Sequence, residues 1–355
     1  MLMEKYRFEN EAQEPSFEEQ FKKREKIETD GGTVETVDIN PNAEGAPFLM
    51  APAWGCTMNV YEPAIETLSK GRGWDDEDGI ETPGAKDDET KNRVISLDYA
   101  RFGGSGVYPE KTAQETFRKY SEGESKEEAE KTEKEIERLI KESPEEFIRE
   151  SMAILGVLEN KGIESIDVIA HSASAISVVL AALVNPEKFK SITLFGGAGL
   201  KGNDTFTRLV KGFAGQFKGR AGTPSMSTIP VTETEKKVGA VAQKEGAKYW
   251  INPYRALMEG IAISKSNSQI HEVLRILHKK GVSICVIAGV DDPVFPMKDI
   301  QKIVKADMLD GFLSVRGGHG AIGEHPELYI EAIKGLVKSM DRKREKKILE
   351  NNPAA

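Results

Sequence analysis

Three side chains far apart in this sequence are of the types that together cleave acyl bonds: a hydroxyl at Ser172, a carboxylate at Asp292 and an imidazole at His319. A serine hydroxyl is a weak nucleophile until a base takes its proton. An imidazole serves as that base when a carboxylate fixes its tautomer. Ser172 stands in Ile169-Ala170-His171-Ser172-Ala173-Ser174-Ala175, where an apolar run gives way to a small-residue helix start. A sharp strand-to-helix turn lifts a hydroxyl above a sheet, and the chain can double back only if the residues two before and two after are small. Ala170 and Ser174 satisfy that. A serine in such a place also reads as a plain helix N-cap, and the motif alone does not separate the two. Downstream, Asp291 and Asp292 end the apolar run that begins at Val286, and His319 stands among glycines just after another apolar run. Asp204 is a remoter carboxylate.

The elements that must hold these groups follow from periodicity. Strands are expected at 26–28, 33–39, 47–54, 93–98, 165–170, 191–195, 282–288 and 312–315, with Asp30-Gly31-Gly32 as a hairpin turn. Helices are expected at 60–70, 175–184, 296–304 and 326–340. A further helix opens at Ser143-Pro144-Glu145-Glu146, with Ser143 as cap and Pro144 at its first position, and stops at Gly162. Strands alternating with helices imply an α/β fold: a mostly parallel, twisted sheet with helices on both faces. Ser172, Asp292 and His319 each come just after a strand, which puts all three at the sheet edge where such folds bind ligands.

The alternation lapses between residues 200 and 269, which read as a helical lid inserted into one domain. The α/β core is then 25–199 with 270–345, preceded by a polar arm, 1–24, and followed by a polar tail, 346–355. The acidic, turn-rich stretch 73–92 reads as a solvated loop, because its aspartates lack the order of a calcium loop. The Glu- and Lys-rich stretch 110–142 reads as a charged surface segment.

Four stretches together resemble the α/β-hydrolase superfamily over about residues 25–340. They are the turn at Ser172, the Gly289–Asp292 segment with its Gly-x-x-Asp spacing, Gly318-His319-Gly320, and Asp98-Tyr99-Ala100-Arg101-Phe102-Gly103-Gly104-Ser105. The last is one residue longer before its glycines than the family's loop, and the elbow has Ala170 and Ser174 where the family usually has glycine. The resemblance implies a Ser172–His319–Asp292 triad and favours Asp292 over Asp291, since the family places its acid three residues after the glycine. It also implies an oxyanion hole built from the backbone N–H groups of Ala173 and Trp54, with Pro52-Ala53 standing where the family has His-Gly. The lid of that family shapes the substrate pocket, which makes Phe206, Phe213, Trp250 and Tyr254 candidate substrate contacts beside Trp54.

Several residues invite over-reading. His171 is expected to pack away from the nucleophile, and His325 to cap or sit at the surface. His271 and His278 lack partners at ligand spacing, so no metal is inferred and no cofactor is implied. Cys285 reads as an inert buried thiol, and Cys56 as a pocket-lining one. Two cysteines in 355 residues make no disulfide framework. A net charge of −9 argues against nucleic acid or an anionic membrane as partner. No apolar run is long enough to span a bilayer and the start lacks a secretory signal, so a cytoplasmic location is expected. The expected partner is a small, largely apolar molecule; a homo-oligomer is compatible with the sequence. Ester hydrolysis through an acyl-enzyme is the favoured chemistry, with thioesters or amides as variants. Acyl transfer, carbon–carbon bond hydrolysis and a non-catalytic ligand-binding role are the alternatives.

Overall fold

Strand residues alternate between two faces, so a strand apolar on both faces must be covered on both. In the computed structural model, which describes residues 15–71, 91–100, 128–202, 204–220, 233–249, 251–266, 270–305 and 307–351, this holds along the central strands. Leu49 and Ala51 of β3 (Phe48–Ala51) join one core, whereas Phe48 and Met50 join the other. In β5 (Ile166–His171), Val168 and Ala170 face the first core and Ile169 the second.

The sheet has eight strands in the order β1-β2-β4-β3-β5-β6-β7-β8. The hairpin of β1 (Glu25–Thr29) and β2 (Gly32–Ile39) is antiparallel, as is the pairing of β2 with β4 (Val94–Asp98). From β4 onward, β3, β5, β6 (Phe189–Phe195), β7 (Ser283–Gly289) and β8 (Gly311–Val315) pair in parallel. The first face carries helices α4 (Glu145–Asn160), α5 (Ser174–Val184) and α9 (Ile270–Lys279), whose apolar residues enter the first core. The second face carries α2 (Glu62–Ser69) and α12 (Pro326–Asn351). α5 is apolar all round because it is wrapped by sheet and neighbouring helices, and all but its last residue are buried.

Local details differ from expectation for identifiable reasons. Ser143 does not cap α4: its Oγ donates to the Leu139 carbonyl at 2.7 Å, in the last turn of α3 (Glu128–Glu142). A hydroxyl next to a finished helix finds a carbonyl acceptor as readily as an N–H donor. The chain leaves β3 at Ala51 instead of running on to Trp54, because Ala53 N–H donates to Tyr61 Oη and Cys56 N–H to the Ala53 carbonyl, closing a turn. α12 runs on past 340 to Asn351, into the stretch read as a polar tail. Within the N-terminal stretch, α1 (Phe17–Lys22) opens with a Ser16–Glu19 capping box and buries Phe21. Between β6 and β7 lie α6 (Phe206–Arg220), α7 (Glu233–Tyr249) and α8 (Pro253–Lys265) ahead of α9, and α10 (Met297–Ile303) lies between β7 and β8. Most of the acidic stretch, the loop from Arg101 to Ser105 and Trp250 lie outside the described residues. Among the described residues, no helix is long and apolar enough to cross a membrane.

Candidate active site

β5 ends at His171, and the next residue, Ser172, takes φ +59°, a left-handed conformation that costs a non-glycine residue roughly 1–2 kcal/mol. The surroundings hold it there. Ser172 N–H donates to the Phe195 carbonyl at the end of β6, and the Ser172 carbonyl accepts from Ala198 N–H. Ser174 does more than stay small. Its Oγ lies 2.9 Å from the carbonyl of Ala51 and 2.9 Å from that of His171, tying the turn to the end of β3.

The three groups read from the sequence meet in space. Ser172 Oγ donates to His319 Nε2 at 2.8 Å, and His319 Nδ1–H donates to Asp292 Oδ2 at 2.9 Å. These assignments follow from the partners: an ionised carboxylate only accepts, so Nδ1 carries the hydrogen and Nε2 is left to accept. Asp292 Oδ1 accepts from Val294 N–H at 2.7 Å and Phe295 N–H at 2.9 Å, which fixes the carboxylate plane. All three side chains are nearly closed from solvent, at 2% for Ser172 and 4% each for Asp292 and His319. The competing carboxylates are elsewhere. Asp291 is exposed with its N–H on the Gly317 carbonyl, and Asp204 is paired with Arg208.

Two glycines make room. Gly196, at φ +50° after β6, has no side chain where a Cβ would stand 3.1 Å from Asp292 Oδ2 and 3.2 Å from His319 Nδ1. A Cβ on Gly289 would fall 2.5 Å from the Gly317 carbonyl oxygen, so β7 and the loop bearing His319 could not approach as they do.

Ser172 and His319 open onto a cavity of about 700 Å³, walled by Trp54, Cys56, Val60, Phe213, Val238 and Tyr249 among others. α7 turns Gly239, Ala242 and Gly246 toward this space, at helical spacing along one face. Phe213 stands edge-on to the His319 ring at 5.7 Å. The Trp54 indole is held by α7 and α8: Nε1 is 2.5 Å from Tyr249 Oη and 3.0 Å from Glu259 Oε2, and Arg255 Nε donates to Glu259 Oε1 at 2.6 Å. Of the other expected contacts, Phe206 is packed on Gly260 beside Trp54, outside the cavity wall. Tyr254 is 71% exposed and points away, because α8 buries Ala256, Glu259 and Ile263 on its inner face. Cys56 lines the cavity; Cys285 lies inside β7, where burial pushes its thiol up to about 12.

Three features were not read from the sequence. His171 does not merely pack: it bonds Tyr61 through Nδ1 and the His319 carbonyl through Nε2. Tyr61 itself carried no signal, standing in an ordinary helix start. The Glu259–Arg255 clamp on Trp54 was visible only as an i,i+4 charge pair.

No family model matches the chain, and no curated protein is similar to it at a significant level. Solved structures do match. An esterase, RhEst1, from Rhodococcus sp. ECU1013 superposes with a TM-score of 0.53 at 14% identity, over 89% of this chain and 99% of that one. A carboxylesterase structure from Nitrososphaera gargenis gives 0.55 at 14% identity, over 90% and 100%. The esterase EaEST from Exiguobacterium antarcticum gives 0.54 at 15% identity, over 88% and 98%. A bromoperoxidase from Bacillus anthracis matches over nearly its whole length too, with a TM-score of 0.50 at 12% identity. Likeness this distant in sequence speaks for architecture, and taken with the strand order it assigns this chain to the α/β-hydrolase fold.

Proposed function

We propose that this protein is a serine hydrolase that cleaves a carboxylic ester of a largely apolar small molecule through an acyl-enzyme. The observation that carries the reading is the unbroken series Asp292–His319–Ser172, with bonds of 2.9 and 2.8 Å, opening at its serine end onto the cavity. In this reading Ser172 Oγ attacks the ester carbonyl carbon while His319 Nε2 takes its proton. Asp292 stabilises the imidazolium that forms. The tetrahedral oxyanion is met by the backbone N–H groups of Ala173 and Trp54, each such donor contributing roughly 3–4 kcal/mol to lowering the barrier. Ala53 N–H is not a donor here because Tyr61 Oη already accepts from it. Collapse expels the alcohol, protonated by His319, and leaves Ser172 acylated. Water, deprotonated by His319, then repeats the attack and releases the acid.

The cavity wall supports an apolar, medium-sized substrate. Beyond the reacting groups, its polar side chains are few, among them Gln216, Gln243 and Glu324, and aromatic and small aliphatic groups cover the rest. A thioester or amide would use the same steps. The esterase names of the similar structures agree with this chemistry.

The test is direct. A fluorophosphonate probe labels the wild-type protein at Ser172 and does not label Ser172→Ala, and p-nitrophenyl esters of graded acyl length turn over. Wild-type protein that is folded yet unlabelled and inert defeats the reading and favours a ligand-binding role. Product partitioning to added alcohol at the expense of water marks acyl transfer instead.

A further inference from the structure

The steps above make no use of two buried side chains in the cavity wall beside Ser172, Tyr61 at 1% exposure and His171 at 4%. The hydrogen-bond directions between them and to the main chain can be assigned. His171 Nε2 lies 2.7 Å from the carbonyl oxygen of His319, an atom that only accepts, so Nε2 carries the hydrogen. Nδ1 of the same neutral ring is then a lone pair, and Tyr61 Oη, 2.5 Å away, donates to it. Tyr61 Oη in turn accepts from Ala53 N–H at 3.0 Å. The chain runs one way throughout: Ala53 N–H to Tyr61, Tyr61 O–H to His171, His171 N–H to the backbone of His319.

Both ends of that chain are main-chain atoms in parts of the site that lie outside the sheet. Ala53 precedes Trp54 in the turn after β3, and His319 stands in the loop between β8 and α11 (Ala321–Glu324). Loops lack the ladder that fixes strand backbone, so a buried side-chain bond adds to their few main-chain bonds in setting their position. We propose that Tyr61 and His171 are positioning residues, which lock the oxyanion turn and the backbone of His319 into one geometry so that donor, base and Ser172 are held in common register. This rests on the hydrolase reading above.

Supporting parts converge on the pair. Tyr61 closes a short turn, Met58–Tyr61, whose Met58 N–H donates to the buried Asp98 carboxyl at 2.6 Å. The His171 ring is edge-on to Tyr61 and to Phe195, both at 5.7 Å, and tilted against the His319 ring at 4.9 Å. Burial holds His171 well below the ordinary histidine range and Tyr61 well above the ordinary phenol range, so both stay in the neutral forms the chain requires. A protonated His171 would have no acceptor left for Tyr61.

Tyr61→Phe keeps the ring and removes one hydroxyl. With full-length protein and p-nitrophenyl butyrate, kcat is expected to fall roughly 10–100-fold, the loss typical of a small misplacement of catalytic groups, with KM within about threefold. His171→Gln, whose amide can still donate to the His319 carbonyl, is expected to keep at least about fivefold more kcat than His171→Leu. A space-filling role alone moves Tm without this split. Folded Tyr61→Phe with kcat within about twofold of wild type, or equal kcat losses in the two His171 variants, overturns the proposal. Should Tyr61→Phe not fold, the double variant Tyr61→Phe with His171→Leu, which puts an apolar side chain in place of the ring nitrogen the single variant leaves unpaired, is assayed by the same criterion. Wild-type protein that is inert to probe and esters defeats the hydrolase reading and not this one. The readout is then the ¹⁵N spectrum of labelled histidines: His171 as an Nε2–H tautomer with His319 resonances that move on Tyr61→Phe supports the proposal, and unmoved His319 resonances overturn it.

Discussion

Replacing Gly196 with alanine probes the carboxylate–imidazole contact without touching either partner. The new Cβ would stand 3.1 Å from Asp292 Oδ2 and 3.2 Å from His319 Nδ1, the two atoms that share the 2.9 Å hydrogen bond. Ordinary carbon contacts begin near 3.5 Å, so each atom must yield by a few tenths of an ångström. Both are anchored, Asp292 by the N–H groups of Val294 and Phe295, His319 by its carbonyl bond to His171. The substitution also forces an alanine to φ +50°, at about 1–2 kcal/mol. Gly162→Ala separates the two effects, because Gly162 has φ +63° and open space where its Cβ would go. The control is expected to lose about 1 kcal/mol of stability and no activity. Gly196→Ala is expected to lose about 2–3 kcal/mol by urea denaturation and about 10–100-fold in kcat/KM for p-nitrophenyl butyrate. Gly196→Ala with kcat/KM within about twofold of wild type, or an equal loss in Gly162→Ala, would refute the reasoning.

Two further outcomes are expected. In Asp292→Asn the oxygen must stay on the side facing Val294 and Phe295, so the amide nitrogen faces His319 and turns its tautomer. kcat then falls roughly 10³–10⁴-fold while Asp291→Asn is unchanged, and similar losses in both would displace Asp292 from its role. Glu150, buried beside Ser177, whose Oγ donates to it at 2.5 Å, has its carboxyl raised by burial from 4.5 to about 8. The folded state therefore holds this proton where the unfolded chain releases it, and its contribution to stability falls as pH rises from about 4.5 through about 8. Glu150→Gln is expected to flatten that slope and to gain roughly 3–5 kcal/mol over wild type by pH 9 in urea melts. Parallel stability–pH curves for the two proteins would count against it.

The strand alternation was legible because the central strands are apolar on both faces and bounded by glycine, proline and acidic turns. Ser143 misled because a hydroxyl at a junction of two helices serves either one, and only their packing shows that the Leu139 carbonyl is nearer. Tyr254 misled for a related reason: an aromatic residue in an inserted helical segment reads as a pocket wall until the rotation of α8 is known.

Residue types and order in the sequence were enough to determine which groups could be nucleophile, base and acid, because each must follow a strand and each needs small or turn-forming neighbours. The resemblance already favoured Asp292 over Asp291; the bond lengths, and the burial of Asp292 beside an exposed Asp291, came from the fold, since they depend on where β6, β7 and β8 end relative to one another. The Tyr61–His171 chain belonged wholly to tertiary structure. Its members are 110 residues apart, and no local periodicity records a bond made across two elements of the core.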